Sequence, residues 1–279
     1  MKRTTKKKNT MKKISALIIA CSIGLAIQAQ IIDPLVGRNT AAGSLIGYTD
    51  YLVNDVSHGV GGVGISFPSS GSGLSASYVG TTNTPEQALF LAPVNTFSST
   101  FAVGKMLTVN VAMPVSSTAM DFGLAISANN PSAATAVGDA TGLWSSRGLF
   151  DWASISVRPS QTAIRANSSI SGAVVTGNGI LSAVAANTVS GLYIQWVSAD
   201  VFNLGYIDTG SVQHLSETVT FAGASTIGSE IGFYGDLRAT GTSLGNFSNL
   251  TITAIPEPST LAMCGMSSAG LFVGLRRKK

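Results

Sequence analysis

Apolar and polar residues alternate with a period of two in Leu107 to Met113, Gly191 to Val197 and Phe247 to Thr253. This pattern predicts strands with one buried face. Further runs predict strands at Gly47 to Val53, Val60 to Phe67, Ser75 to Val79, Ser99 to Val103, Phe122 to Ser127 and Trp152 to Val157. Val201 to Ile207, Thr218 to Phe221 and Ile231 to Tyr234 complete the set. Gly, Asn, Ser and Pro fill nearly every gap, as turns require. Helix signals are few. Thr84 as N-cap, Pro85 at the first helical position, then Glu86 and Gln87, predict about two turns of helix that Pro93 ends. The Ala-, Ser- and Thr-rich segment Pro131 to Asp139 reads as a loop. No fixed-period repeat, heptad pattern or linker interrupts the body, so residues 30–254 are expected to form a single all-β sandwich.

Composition supports that reading and charge redirects it. Apolar residues make up 45% and charged residues 11% of 279, with 31 glycines, which suits many short strands and glycine turns. A formal charge of +4 invites a nucleic-acid partner, but 11 of the 17 basic residues lie at the two ends. Between Gln30 and Ala254 six basic residues, Arg38, Lys105, Arg147, Arg158, Arg165 and Arg238, face twelve acidic ones, a net charge of −6. The body is acidic, and no nucleic-acid partner is expected. Cys21 and Cys264 both fall in the terminal apolar stretches. The body therefore has no thiolate metal site and no cysteine nucleophile.

The first end has the three parts of a secretory signal peptide: basic residues, the apolar run Ile14 to Ile27, then Gln28-Ala29-Gln30. It predicts a leader over residues 1–29, export through the Sec machinery and cleavage after Ala29. Met11 before Lys12 and Lys13 is an alternative start. Ile18 to Cys21 also loosely fits a lipoprotein box, which the apolar sequence continuing to Ile27 disfavours. The other end, residues 255–279, carries Pro256-Glu257-Pro258, an uncharged run from Leu261 to Leu275, and the basic stop Arg276, Arg277, Lys278 and Lys279. That stop holds the end in the cytoplasm and leaves the body outside. The run has 15 residues, three of them Gly and two Ser, short of the ~20 of a stable spanning helix. It predicts a short transmembrane helix inserted transiently in the inner membrane.

The order of these parts at the chain end resembles the PEP-CTERM sorting signal of Gram-negative bacteria. The resemblance implies that an exosortase recognises Pro256, Glu257 and Pro258 and removes the tail on the way to the cell surface or extracellular matrix. It also implies an association with exopolysaccharide and biofilm. In the body, Tyr193 to Ile207 as a hairpin, Ile231 to Arg238 and Gly245 to Ile252 resemble the closing strands of concanavalin-like and laminin-G-like jelly rolls. That second resemblance covers roughly residues 95–254 and rests on generic strand chemistry.

Candidate chemistry in the body is sparse. Gly59 to Gly64 fits G-x-G-x-x-G, but Ile65 to Pro68 continues as strand and turn instead of the required helix. Gly241-Thr-Ser-Leu-Gly245 fits a nucleophile elbow at Ser243, yet His58 and His214 both precede it. Glycanases of the jelly-roll type need paired carboxylates in Glu-x-Asp-x-x-Glu, and Glu217 and Glu230 stand apart from any such triplet. His214 with Glu217 and Asp208 lacks recognised metal spacing and reads as a solvated turn. Calcium suits the oxygens of Asp200, Asn203, Asp208 and Asp236, but no contiguous calcium loop exists, so no cofactor or metal is expected. Trp144, Trp152, Trp196, Tyr193, Tyr206 and Tyr234 would make a sugar platform if exposed. Trp196 reads as core, while Trp144, in a Gly-rich loop, stands as the candidate carbohydrate contact. The expectation is a non-catalytic, exported surface or matrix protein that contacts polysaccharide. The alternatives are a glycan-active enzyme on the same fold and a protein-binding surface adhesin.

Overall fold

The computed structural model describes residues 29–35, 52–57, 65–66, 69–70, 73–78, 86–94, 100–112, 120–127, 151–170, 173–174, 180–185, 187–221, 227–237 and 243–255. The leader up to Gln28, Gly59 to Gly64, Pro131 to Asp139, Trp144 and the tail from Pro256 to Lys279 lie outside these residues. Residues 30–253 make one compact unit. Of the second unit, 1–29 with 254–279, only Ala29, Ala254 and Ile255 are described. Among the described residues no helix is long and apolar enough to cross a membrane.

Among the described residues two sheets face each other. The nine-stranded sheet runs β15 (Gln213–Thr220), β14 (Val201–Asp208), β13 (Val189–Ser198), β7 (Lys105–Ala112), β17 (Ser243–Ala254), β5 (Gly73–Tyr78) and β3 (Ile65–Ser66). β1 (Gln30–Asp33) joins it on β17, and β4 (Ser69–Ser70) on β5. The eight-stranded sheet runs β11 (Ala173–Val174), β10 (Ala163–Ile170), β9 (Trp152–Arg158), β8 (Met120–Ser127), β16 (Glu230–Leu237), β6 (Glu86–Pro93) and β2 (Leu52–Ser57), with β12 (Ile180–Ala183) on β10. The strand pairs β5–β6, β7–β8 and β16–β17 each pass from one sheet to the other. They lie side by side, with β17 between β7 and β5 in one layer and β16 between β8 and β6 in the other. Outside this wrapped centre the chain meanders through β8, β9 and β10 in one sheet and β13, β14 and β15 in the other.

The core fills the space between the layers. Leu107, Val109 and Val111 of β7 point inward while Asn110 and Ala112 are exposed, as the period-two pattern requires. Phe122 meets Phe247 edge-on at 4.5 Å between centroids and stacks on Phe233 at 5.7 Å, which ties β8, β16 and β17 across the layers. Truncating such a ring typically costs about 3–5 kcal/mol. At the other end Trp196 packs against Phe101 and Phe202, and its Nε1 donates to the Ser198 carbonyl. Gly228, at φ +83°, brings its backbone against the Trp196 ring, a conformation and an approach that favour glycine.

Two expected elements are corrected. Glu86 and Gln87 begin strand β6, not a helix. β6 is paired along its length with β16 on one side and from Glu86 to Leu91 with β2 on the other. Ladders on both sides outweigh one local cap, since a two-turn helix is marginal without packing. Within Ser99 to Val103, the described residues 100–103 form no strand. Phe101 enters the core from irregular backbone, and Val103–Gly104 turn into β7, with the Gly104 N–H donating to the Trp196 carbonyl.

Candidate functional site

Alternation leaves one face of each sheet outside the core. On the eight-stranded sheet Phe122, Leu124 and Ile126 of β8 face inward, so Asp121, Gly123, Ala125 and Ser127 face outward. These four are also buried, as are Trp152, Ser154 and Ser156 of β9, Arg165 and Asn167 of β10, and Glu230, Tyr234 and Asp236 of β16. The expectation of a single buried face per strand fails here. Buried polar groups need partners, so this outward face demands a complete account of its hydrogen bonds.

Register arranges the face in rows. Asp236 and Asp121 lie opposite one another on β16 and β8, and Arg158 ends β9 one position beyond the Phe122–Val157 pair. Tyr234, Gly123, Ser156 and Arg165 form the next row, and Gly232, Ala125, Ser154 and Asn167 the third. Glu230, Ser127 and Trp152 form the last described row. Asp121 is an ion-pair hub. Arg165 Nη1 donates to its Oδ2 at 2.8 Å, and Arg158 Nη1 donates to Oδ2 at 3.0 Å and Oδ1 at 3.2 Å. Burial, then the facing Asp236 charge, push the Asp121 carboxyl above the usual range, while both guanidiniums oppose that rise. Two Arg and two Asp in one patch leave it close to neutral.

Trp152 and Tyr234 stack over the row of small residues, with centroids 5.5 Å apart and planes 24° apart. Ala125 lies between them in register, and its small side chain leaves room for the rings. Ser156 Oγ donates to the Arg165 carbonyl at 3.2 Å. Buried side-chain atoms of this face without a hydrogen-bond partner among the described residues include Ser154 Oγ, Asn167 Nδ2, Arg158 Nε and Glu230 Oε2. Burial pushes the Glu230 carboxyl up to about 7.

The residues singled out from sequence divide differently. Trp152, Tyr193 and Tyr234 are buried and Trp196 packs against the core, so these four do not form an exposed sugar platform. Tyr193 lies over Gly205, and burial raises its phenol. Trp144, Pro256, Glu257, Pro258 and the basic stop Arg276 to Lys279 are outside the described residues, and Ala29 is exposed. His214 Nε2 and Asp208 Oδ2 lie 2.8 Å apart, and the His214 ring stacks on Tyr206 at 4.7 Å. The hydrogen bond from His214, followed by that from the Val212 backbone, lowers the Asp208 carboxyl. These contacts close the β14–β15 hairpin. Glu217 lies opposite the core residue Leu204 at the sheet edge, and burial raises its carboxyl. An inward charge beside a bulge blunts an edge strand against pairing with other chains. Among the described residues no group of three or more His, Cys, Asp or Glu could hold a metal. Ser243 begins β17, which removes the strand-to-helix turn that a nucleophile elbow needs.

Sequence reading missed the Asp121–Asp236 opposition and the two arginines that meet Asp121. A signal existed in the small outward residues of β8 and β9, Gly123, Ala125, Ser154 and Ser156, which suit a covered surface better than a solvated one.

Residues 254–278 match the PEP-CTERM protein-sorting motif. The motif implies export, cell-surface sorting and processing by an exosortase. No curated protein matches the chain significantly. Among solved structures, a protein of unknown function from Shewanella oneidensis MR-1 is 17% identical, with a TM-score of 0.40 over 76% of this chain and 82% of that one. Lectin II from Ulex europaeus is 10% identical, TM-score 0.41, over 78% and 97%. A carbohydrate esterase from the Shiga toxin-encoding bacteriophage phi24B is 7% identical, TM-score 0.38, over 82% and 100%. All three TM-scores fall below 0.5, and none bears on what this chain binds.

Proposed function

We propose that this chain is an exported surface or matrix protein with a non-catalytic, concanavalin-like jelly-roll body that binds polysaccharide and a tail that an exosortase removes. The sorting motif at residues 254–278 carries the reading. The leader pattern ending at Ala29 and the acidic, thiol-free body agree with it. The wrapped order of β5–β6, β7–β8 and β16–β17 supports the jelly-roll form. Asp121 supports the lack of catalysis: two guanidiniums engage the carboxylate that faces Asp236, leaving its oxygens poorly suited to act as nucleophile.

A glycan-active enzyme is the second reading. The observation in its favour is Glu230, a buried carboxyl raised to about 7, in the range of a general acid. Mass spectrometry of the cell-surface fraction tests sorting: peptides ending near Pro258 are expected, and intact Leu261 to Lys279 would refute tail removal. A neutral-glycan array with a hydrolysis readout tests the rest. Binding without cleavage supports the first reading, and sugar release favours the second. Silence on glycans with capture of a surface protein would favour an adhesin.

A further inference from the structure

We propose that the outer face of the nine-stranded sheet is a docking surface for a neutral polysaccharide, whose chain crosses β13, β14 and β15 over Gln195, Asn203 and Thr218. The proposal rests on the polysaccharide-binding reading and names the surface and the class of glycan.

Three observations carry it. The first is charge. Leu107, Leu192, Phe202 and Val219 enter the core, so alternation turns Asn110, Gln195, Asn203 and Thr218 outward. Among the described residues every outward position of β7, β13, β14 and β15 is uncharged, although the body holds six basic and twelve acidic residues. Asp208, His214 and Glu217 follow the inward stripe of Leu204 and Tyr206, and Lys105 Nζ turns back to donate to the Thr100 carbonyl at 2.6 Å. A face without charge has nothing to pair with an ionic ligand, and the net charge of −6 around it repels anionic glycans. Second, the face is open and its polar groups are ordered in advance. Asn110, Gln213 and Thr218 are exposed, and Gln195 and Asn203 are half-buried. Thr218 Oγ1 donates to Asn203 Oδ1 at 2.8 Å, and Asn203 Nδ2 donates to Gln195 Oε1 at 3.5 Å. This chain orients the amides before a ligand arrives, and it ends in a donor group at Gln195 and an acceptor oxygen at Thr218, which suits hydroxyls that both donate and accept. Tyr193, buried over Gly205, is floor and supplies no stacking ring. Third, Gln195, Asn203 and Thr218 pair directly across their strands, so they stand one strand spacing apart, about 4.8 Å. A pyranose unit of an extended glycan advances by a similar step, and three successive sugars therefore meet three polar positions. The exposed apolar chains of this face, Ile31, Val197 and Leu215, sit singly on separate strands, whereas a protein interface calls for a continuous apolar patch.

The test uses the full chain in a zwitterionic detergent, titrated calorimetrically with cellohexaose, laminarihexaose, maltohexaose, the matching disaccharides and hexagalacturonate. At least one neutral hexasaccharide should bind, at least about tenfold tighter than its disaccharide and than hexagalacturonate. Asn203→Ala and Thr218→Asp should each weaken that binding about tenfold. Ala183→Asp, which places the same charge at an exposed position of β12 in the other sheet, should leave it unchanged. Thermal unfolding checks each variant, and Thr218→Val takes the place of Thr218→Asp if the latter does not fold. Hexasaccharide binding that survives both substitutions in folded protein would overturn the surface while leaving polysaccharide binding intact. Equal affinity for disaccharide and hexasaccharide would overturn the path across the strands, and tighter binding of hexagalacturonate would overturn the neutral class. A dimer that Thr218→Asp dissociates, with no glycan bound, would give the face to a second copy of the chain. No binding of any probe by the wild type would overturn the surface, and if the glycan array were silent as well, the polysaccharide reading would fall with it.

Discussion

The outer faces of the two sheets contrast in a way their strand sequences only partly announce. On the nine-stranded sheet β7 alternates buried Leu107, Val109 and Val111 with exposed Asn110 and Ala112, and its outward residues meet solvent. On the eight-stranded sheet β9 alternates just as regularly in sequence, yet every residue from Trp152 to Val157 is buried. Alternation reports which side chains enter the core. It does not report whether the opposite face is wet. The polar groups consequently do different work. Gln195, Asn203 and Thr218 form a chain of side-chain hydrogen bonds across β13, β14 and β15 with water at hand, whereas Asp121, Arg158 and Arg165 must satisfy one another away from it.

Substitutions on the two faces should therefore differ in scale. Asp121→Ala leaves two guanidiniums without their carboxylate in a buried patch and should cost about 3–5 kcal/mol in urea unfolding. A loss below about 1 kcal/mol would mean that the face is solvated. Next comes Glu230→Gln, whose effect depends on pH. The folded carboxyl keeps its proton up to about 7, whereas in the unfolded chain it ionises near 4.5. Its contribution is therefore fully present below the lower value, falls as pH rises between the two, and stays low above 7. The amide should flatten that profile and stabilise the fold at pH 8 by roughly 2–3 kcal/mol, with little change at pH 4. Parallel pH profiles for wild type and variant would remove the case for a buried acid.

The nine-stranded sheet supplies the smaller effects. Gly205→Ala would drive a Cβ into the His214 carbonyl and the Tyr193 ring and should cost about 2 kcal/mol, read as a lower unfolding midpoint. It is the expected exception on a tolerant face, because a backbone approach decides it. Leu215→Thr, at a side chain 57% exposed on the edge strand β15, should change stability by less than about 0.5 kcal/mol. A large loss there would mean that the two faces are more alike than their exposure indicates.

Legibility followed locality. Strands β7, β8, β13, β14 and β17 are readable from alternation because each buries a stripe of Leu, Ile, Val or Phe in the core. β10 was not readable. Ala163 to Ile170 contains Arg165, Asn167, Ser168 and Ser169 in place of a clean apolar stripe, and pairing with β9 and β12 makes it a strand. β6 was misread because Thr84 and Pro85 mimic a helix start. The candidate site was the least legible feature. Glu230 stood out only as an isolated acid, and Asp121 and Asp236 become neighbours only when β8 pairs with β16.

By itself the sequence determined the address and the class of the fold. A sorting signal is read as a linear string, so Pro256 to Pro258, the apolar run and the basic stop needed no folding to be recognised, and alternation forces strands wherever one face is apolar. Only the tertiary structure decided which polar residues leave water. Burial depends on what packs over a face, and residues distant in the chain, Asp121 with Arg158 and Arg165, or Ser154 with Asn167, acquire their chemistry from strand register.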